Sequence, residues 1–177
     1  MNNTNKISTM IATFLLAFSM NSAGLEFAVG ASADDWWTAY PDQSPDAGGD
    51  VNHPSWVLDA LKSRPVLIYV HGLSTDNAPQ TLAVENIKEE FKNQITSFEI
   101  ISDSGDARSE EALHVYDPNG GLALGQMTAI VTLAPNSEAE VVPVWHSTEE
   151  ITGESWIRNY VADAIVQYDE NSADWSP

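Results

Sequence analysis

Arg64-Pro65-Val66-Leu67-Ile68-Tyr69-Val70-His71 runs without a break into Gly72-Leu73-Ser74-Thr75-Asp76-Asn77-Ala78-Pro79-Gln80, and the rest of the chain is ordered around this stretch. Residues 66–70 are apolar and rich in β-branched side chains, with no polar alternation, which suits a strand buried on both faces. A short polar loop follows. Asp76 and Asn77 stand just ahead of Ala78-Pro79, where an Asn or Asp cap and a proline in the first turn are enough to start a helix. Residues 78–93 then carry Leu82, Val84, Ile87 and Phe91 for an inward side, and Glu85, Lys88, Glu89 and Lys92 for a wet one.

Upstream, residues 54–62 (PSWVLDALK) read as a short helix with Trp56, Val57 and Leu61 on one side. Downstream, residues 96–102 form a second strand. Residues 106–115 form a helix that ends before the turn Asp117-Pro118-Asn119-Gly120-Gly121. Residues 127–133 are a third strand, joined through Pro135-Asn136-Ser137 to a fourth at 139–146, so that the two make a hairpin. Pro143 favours an edge position for that fourth strand. Thr152 is placed to cap a last helix at 153–168, in which Ile157, Tyr160, Val161, Ala164, Ile165 and Tyr168 recur at helical spacing. Two crossovers, a hairpin and a terminal helix imply an α/β fold with a mixed four-stranded sheet and helices on both faces.

The charge is extreme: 26 acidic against 7 basic residues give −19, with a sequence pI near 4.1. Nucleic acid is excluded as a partner, because binding it requires Lys and Arg to neutralise phosphates. Anionic membrane surfaces are disfavoured for the same reason. Such a surface suits basic partners, weak nonspecific divalent cations, or solubility in concentrated salt. The 177 residues contain no cysteine, which removes disulfides, thiolate zinc sites, iron–sulfur clusters and any cysteine nucleophile.

Four segments follow from the patterning. Residues 1–33 combine a polar start, an apolar run at 7–20 and an Ala31-Ser32-Ala33 motif, the layout of a secretory signal peptide, with an uncleaved N-terminal anchor as the alternative. Removing them would delete one Lys and one Glu, leaving the net charge unchanged. The destination is therefore secreted or extracytoplasmic. Residues 34–53 are rich in Asp, Gly and Pro and read as a linker or an irregular arm. Trp36 and Trp37 lie within it, either packed on the domain or held out for docking. The domain proper covers 54–168, and 169–177 reads as a flexible tail.

The element order and Pro65-Val66-Leu67-Ile68-Tyr69-Val70-His71 together resemble the thioredoxin-like superfamily over residues 54–168. That resemblance implies a three-layer α/β/α domain around a central mixed four-stranded sheet. Its Cys-x-x-Cys would fall on Thr75-Asp76-Asn77-Ala78, and its cis-proline on Met127 within Gln126-Met127-Thr128-Ala129. Neither hallmark is retained, so the resemblance implies a redox-inactive member, since exchange needs a thiolate. What it leaves is a groove for an extended protein or peptide, lined by Leu73, Ser74, Thr75, Asp76, Asn77, Ala78, Gln126, Met127 and Thr128. On this reading the chain is a binding or chaperone-like module, without cofactor or catalytic residues.

The alternative is a small hydrolase or metal-binding enzyme using His71 with Ser74 or Asp76. Val70-His71-Gly72-Leu73 is similar to the His-Gly strand end of α/β-hydrolases, but the chain has no Gly-x-Ser-x-Gly elbow. Zinc held by carboxylates with His71 and His146 requires their strand ends to meet. Asp103-Ser104-Gly105-Asp106 and Asp117-Pro118-Asn119-Gly120 have the residue types of calcium loops without the full ligand spacing, and ordinary turn chemistry accounts for them.

Overall fold

The computed structural model describes residues 35–121 and 126–177; the signal or anchor reading at 1–33 lies outside the described residues. Its elements are α1 (Ser55–Leu61), β1 (Val66–His71), a 3₁₀ turn (Thr75–Asn77) leading into α2 (Ala78–Glu90), β2 (Thr96–Ile101), a second 3₁₀ turn (Ser102–Ser104), α3 (Ala107–Tyr116), β3 (Gln126–Pro135), β4 (Val141–Thr148) and α4 (Glu154–Asn171). The four strands form one mixed sheet in the order β2-β1-β3-β4. β1 and β2 are parallel, joined by the α2 crossover, whereas β3 is antiparallel to both β1 and β4.

The lack of alternation in β1 has its cause in the two layers that cover it. Val66, Ile68 and Val70 face α1 and α3, together with Met127, Ala129, Val131 and Leu133 of β3. Leu67 and Tyr69 face the other way, against α2 and α4, with Ile130 and Val144. All five β1 residues from Val66 to Val70 are buried, and each aliphatic side chain so removed from water contributes about 1.5–3 kcal/mol. β4 lies at the edge, as Pro143 implied. Its outer side is partly closed by a bridge from the N-terminal arm, in which Trp37 and Trp145 exchange backbone hydrogen bonds of 2.8 and 3.1 Å.

Several expectations are corrected in detail. In α2 the buried positions are Gln80, Ala83, Val84 and Ile87, a stripe at helical spacing, while Leu82 stands exposed and Phe91 lies half-buried at the C-cap. Asn77 occupies the N-cap position of α2 but makes no side-chain capping bond; its backbone is already helical because the 3₁₀ turn leads in. The N-cap of α4 is Gly153, whose φ of 77° suits glycine, and Thr152 is engaged elsewhere. The hairpin turn spans residues 136–140, with the Asn136 side chain accepting from the Glu138 and Glu140 amides. α4 runs on to Asn171, and Trp175 packs partly buried against the core, so the C-terminal segment is helical at its start and docked through Trp175. Residues 35–53 are irregular but are an arm and not a linker: Trp36, Tyr40 and Ser44 are buried.

Candidate functional site

The register brings the chemistry-bearing segments to one end of the sheet. His71 is level with Gln126 and with Ile101, and Thr128 with Thr148, so the C-terminal ends of β1, β2 and β4 lie beside the start of β3. In open α/β sheets, ligands bind outside the carboxyl ends of the strands. Here that end is built from the loop after β1, the turn at 102–104 and the loop leading into α4.

The loop after β1 is shaped by its own polar groups. Ser74 Oγ accepts from the Asp76 amide at 3.2 Å, and the Leu73 amide lies 3.4 Å from Asp103 Oδ2. Leu73, Ser74, Asp76 and Ala78 are exposed, whereas Asn77 is buried and Thr75 stands in the 3₁₀ turn. Leu73 is 73% exposed, far beyond what an apolar side chain in a core has. Ile151, in the loop after β4, is 53% exposed.

Beneath these loops lies a buried polar network. Gln80, fully buried, donates from Nε2 to Thr128 Oγ1 at 3.0 Å and to Thr152 Oγ1 at 3.3 Å. Its Oε1 accepts from the Thr152 and Gly153 amides at 3.1 and 3.2 Å. Thr152 is thereby tied to α2 and does not cap α4. The Tyr69 hydroxyl donates to Gln126 Oε1 at 3.3 Å and lies 3.1 Å from Thr81 Oγ1; Gln126 Nε2 is 3.4 Å from the Glu149 carbonyl. Gln126, Met127 and Thr128 are all buried, with Met127 in the α1/α3 layer. The nine residues named from sequence do gather at this end. Among them, Leu73, Ser74, Asp76 and Ala78 present side chains to solvent, and the β3 residues form the floor.

His71 is not joined to Ser74 or Asp76. It stacks on Tyr69 with ring centres 4.6 Å apart, its Nδ1 donates to the Gly72 carbonyl at 2.9 Å, and its Nε2 is 3.4 Å from Glu99 Oε1. The other Glu99 oxygen accepts from Lys88 at 2.7 Å, and this bond holds the Glu99 carboxyl below its usual pKa. His146 lies apart from His71, stacked on Tyr160 at 4.4 Å and close to Trp37 at 4.8 Å, with Nδ1 donating to the Asp35 carbonyl. Among the described residues, no three His, Asp or Glu side chains are grouped to hold a metal ion.

A second feature of this end was not legible from spacing. Asp117 is fully buried, and its Oδ1 accepts from the Asn119 amide at 2.9 Å. Asn119 also donates to Glu149, thirty residues further along the chain. Burial, followed by the negative charge of Asp117, raises the Glu149 pKa against the opposing hydrogen bond from Asn119. The turn chemistry read at 117–120 is present, and it is anchored to the loop after β4. Asp106 likewise acts locally, capping α3 through the Arg108 amide at 3.0 Å and pairing with the Arg108 guanidinium.

No protein-family model, no curated protein and no solved structure matches the chain.

Proposed function

We propose that the chain is an extracytoplasmic, thioredoxin-like binding module, without thiol–disulfide chemistry, that takes a basic, extended protein or peptide segment across the end of the sheet carrying Leu73 and Ile151. The strand order β2-β1-β3-β4, with one parallel pair and a terminal hairpin, supports the thioredoxin-like reading. The absence of cysteine removes the thiolate that redox exchange requires. The signal-like segment supports export.

The observation that carries the reading is the exposure of two large aliphatic side chains, Leu73 and Ile151, at one end of the sheet, above a floor of buried and internally satisfied polar groups. A satisfied floor leaves the rim to bind. Exposed Asp76, Asp103 and Glu150 flank the two aliphatic side chains, and the whole chain carries −19, so the complementary partner has lysine or arginine interleaved with apolar residues.

The test is fluorescence anisotropy with labelled twelve-residue peptides alternating Lys with Leu or Val, against peptides carrying Glu in place of Lys. The basic series should bind and the acidic series should not. Leu73→Asp, which removes an apolar contact worth about 1.5–3 kcal/mol, should weaken binding roughly tenfold or more with an unchanged far-ultraviolet circular dichroism spectrum. Equal binding by wild type and Leu73→Asp would sink the reading.

A further inference from the structure

A separate cavity of about 370 Å³ opens between α4, the β3–β4 hairpin and the N-terminal arm, towards the opposite end of the sheet. Part of its wall is apolar: Trp36 from the arm, Pro135 and Val144 from the hairpin, and Val166 from α4. Two carboxylates, Asp163 and Glu170, reach it from the same side of α4, seven residues and therefore about two turns apart. The volume lies within the usual range for small-ligand sites.

Asp163 is the unusual member. It is 5% exposed, and both hydrogen bonds it receives fall on one oxygen: Trp36 Nε1 donates to Oδ2 at 2.7 Å and Gln167 Nε2 to the same atom at 3.0 Å. Among the described residues nothing donates to Oδ1, yet it is not sealed in, because the one enclosed side-chain polar atom without a partner among them is Trp145 Nε1. Burial raises the Asp163 pKa against the two hydrogen bonds, and the charges of Asp35 and Glu170 add to the rise.

Among the described residues, no basic side chain lines the cavity. Lys62, Lys88, Lys92, Arg108 and Arg158 each pair with a carboxylate elsewhere, and Arg64 leans on the Lys92 carbonyl. A nearly buried carboxylate normally has a cation beside it. From the free Oδ1 of Asp163, the second carboxylate at Glu170 and the apolar part of the wall with its indole, we infer that this cavity binds an organic monocation, an alkylammonium or guanidinium group on an apolar stem. The cation meets Asp163 Oδ1, the stem lies along Val144, Pro135 and Val166, and the Trp36 ring adds a cation–π surface. The group comes either from a free amine or from a lysine or arginine side chain of a polypeptide.

The test follows the Trp36 indole N–H signal by nuclear magnetic resonance during titration of the full chain with n-butylammonium chloride, n-butanol and a lysine capped at both ends as amides. The Trp36 signal should shift saturably with butylammonium, at concentrations about tenfold below those needed with butanol. Asp163→Asn and Glu170→Gln should each weaken the amine about tenfold or less, Asp163→Asn more. If Asp163→Asn does not fold, Glu170→Gln, at an exposed position near the end of α4, decides alone, and unchanged amine binding in it overturns the inference. Tighter binding of capped lysine assigns the site to a polypeptide side chain, and tighter binding of butylammonium assigns it to a free amine. Butanol binding as well as butylammonium, or a Trp36 signal unmoved by either cation, would overturn the inference.

Discussion

Gln80 shows how much one polar side chain holds at the candidate site. Its amide group makes four hydrogen bonds, to Thr128, to Thr152 twice and to Gly153, from a fully buried position in the first turn of α2. Gln80→Leu keeps the approximate volume and strands these donors and acceptors. Each group stranded away from water costs about 1–3 kcal/mol, so urea unfolding should show a loss of about 2–3 kcal/mol. A loss below about 0.5 kcal/mol would mean that the loop into α4 is held by something else. His53 makes a different residue-scale case. Its ring lies against Trp145, its Nδ1 is 3.0 Å from the Tyr116 hydroxyl, and burial lowers its pKa from 6.5 to about 4. With the folded-state value below the unfolded one, the unfolded chain binds the extra proton between those two pH values. Stability from this group is therefore complete above pH 6.5 and falls as pH drops towards 4, by at most about 3 kcal/mol. His53→Phe should flatten that part of the profile when urea midpoints at pH 7 and pH 4.5 are compared. Asp163 and Glu149, whose raised values act in the opposite direction, are common to both proteins and cancel in the comparison.

At the scale of elements, α2 separates what periodicity can reveal from what it cannot. Ile87 is fully buried, and Ile87→Ala should cost about 2–5 kcal/mol, while Leu82→Ala, at a position 59% exposed, should stay within about 0.5 kcal/mol. Equal costs in chemical denaturation would place Leu82 inside the core after all. Reading the helix from apolar residues alone puts Leu82 inward, because the buried stripe begins with a glutamine that no hydropathy pattern marks. The strands were legible for a simpler reason: β1 and β3 are covered on both faces, so β1 is apolar from Val66 to Val70 and β3 is mostly so, with Thr128 and Thr132 buried among its apolar residues. The candidate site was legible as a location and not as a set of contacts. The loop at 72–78 and the start of β3 meet because the hairpin brings β3 back beside β1. Which of their side chains face solvent depends on Gln80 and on Thr152 and Glu149, the last two remote from the loop in sequence. Asp163 escaped notice because it sits among the apolar residues of α4 and depends on an indole 127 positions away.

For the whole molecule, the arm at residues 35–53 decides whether the sheet has a finished edge. Trp36 enters the layer of α2 and α4, meeting Tyr160 edge-on at 5.7 Å, whereas Tyr40 enters the layer of α1 and α3 and meets Trp145 at 6.3 Å. The arm thus wraps the outer side of β4 and reaches both cores. Further along, Pro45 lies so close to Gly120 that a Cβ there would come within 1.9 Å of its ring, so the same arm is fitted against the turn that carries Asp117 and Asn119. A segment of Asp, Gly and Pro composition, read alone, is equally a linker, and a linker contributes nothing to stability. Trp36→Ala should instead cost about 3–5 kcal/mol, and Tyr40→Ala a comparable amount. Because the two rings sit on opposite faces of the sheet without a shared cluster, the costs should add in the double variant to within about 0.5 kcal/mol. Urea unfolding of the two single variants and the double variant measures this. Unchanged midpoints would return the arm to the status of a linker. A double variant no worse than the worse single one would mean that the arm peels away as a unit once either ring is lost, making closure of the β4 edge a single cooperative event.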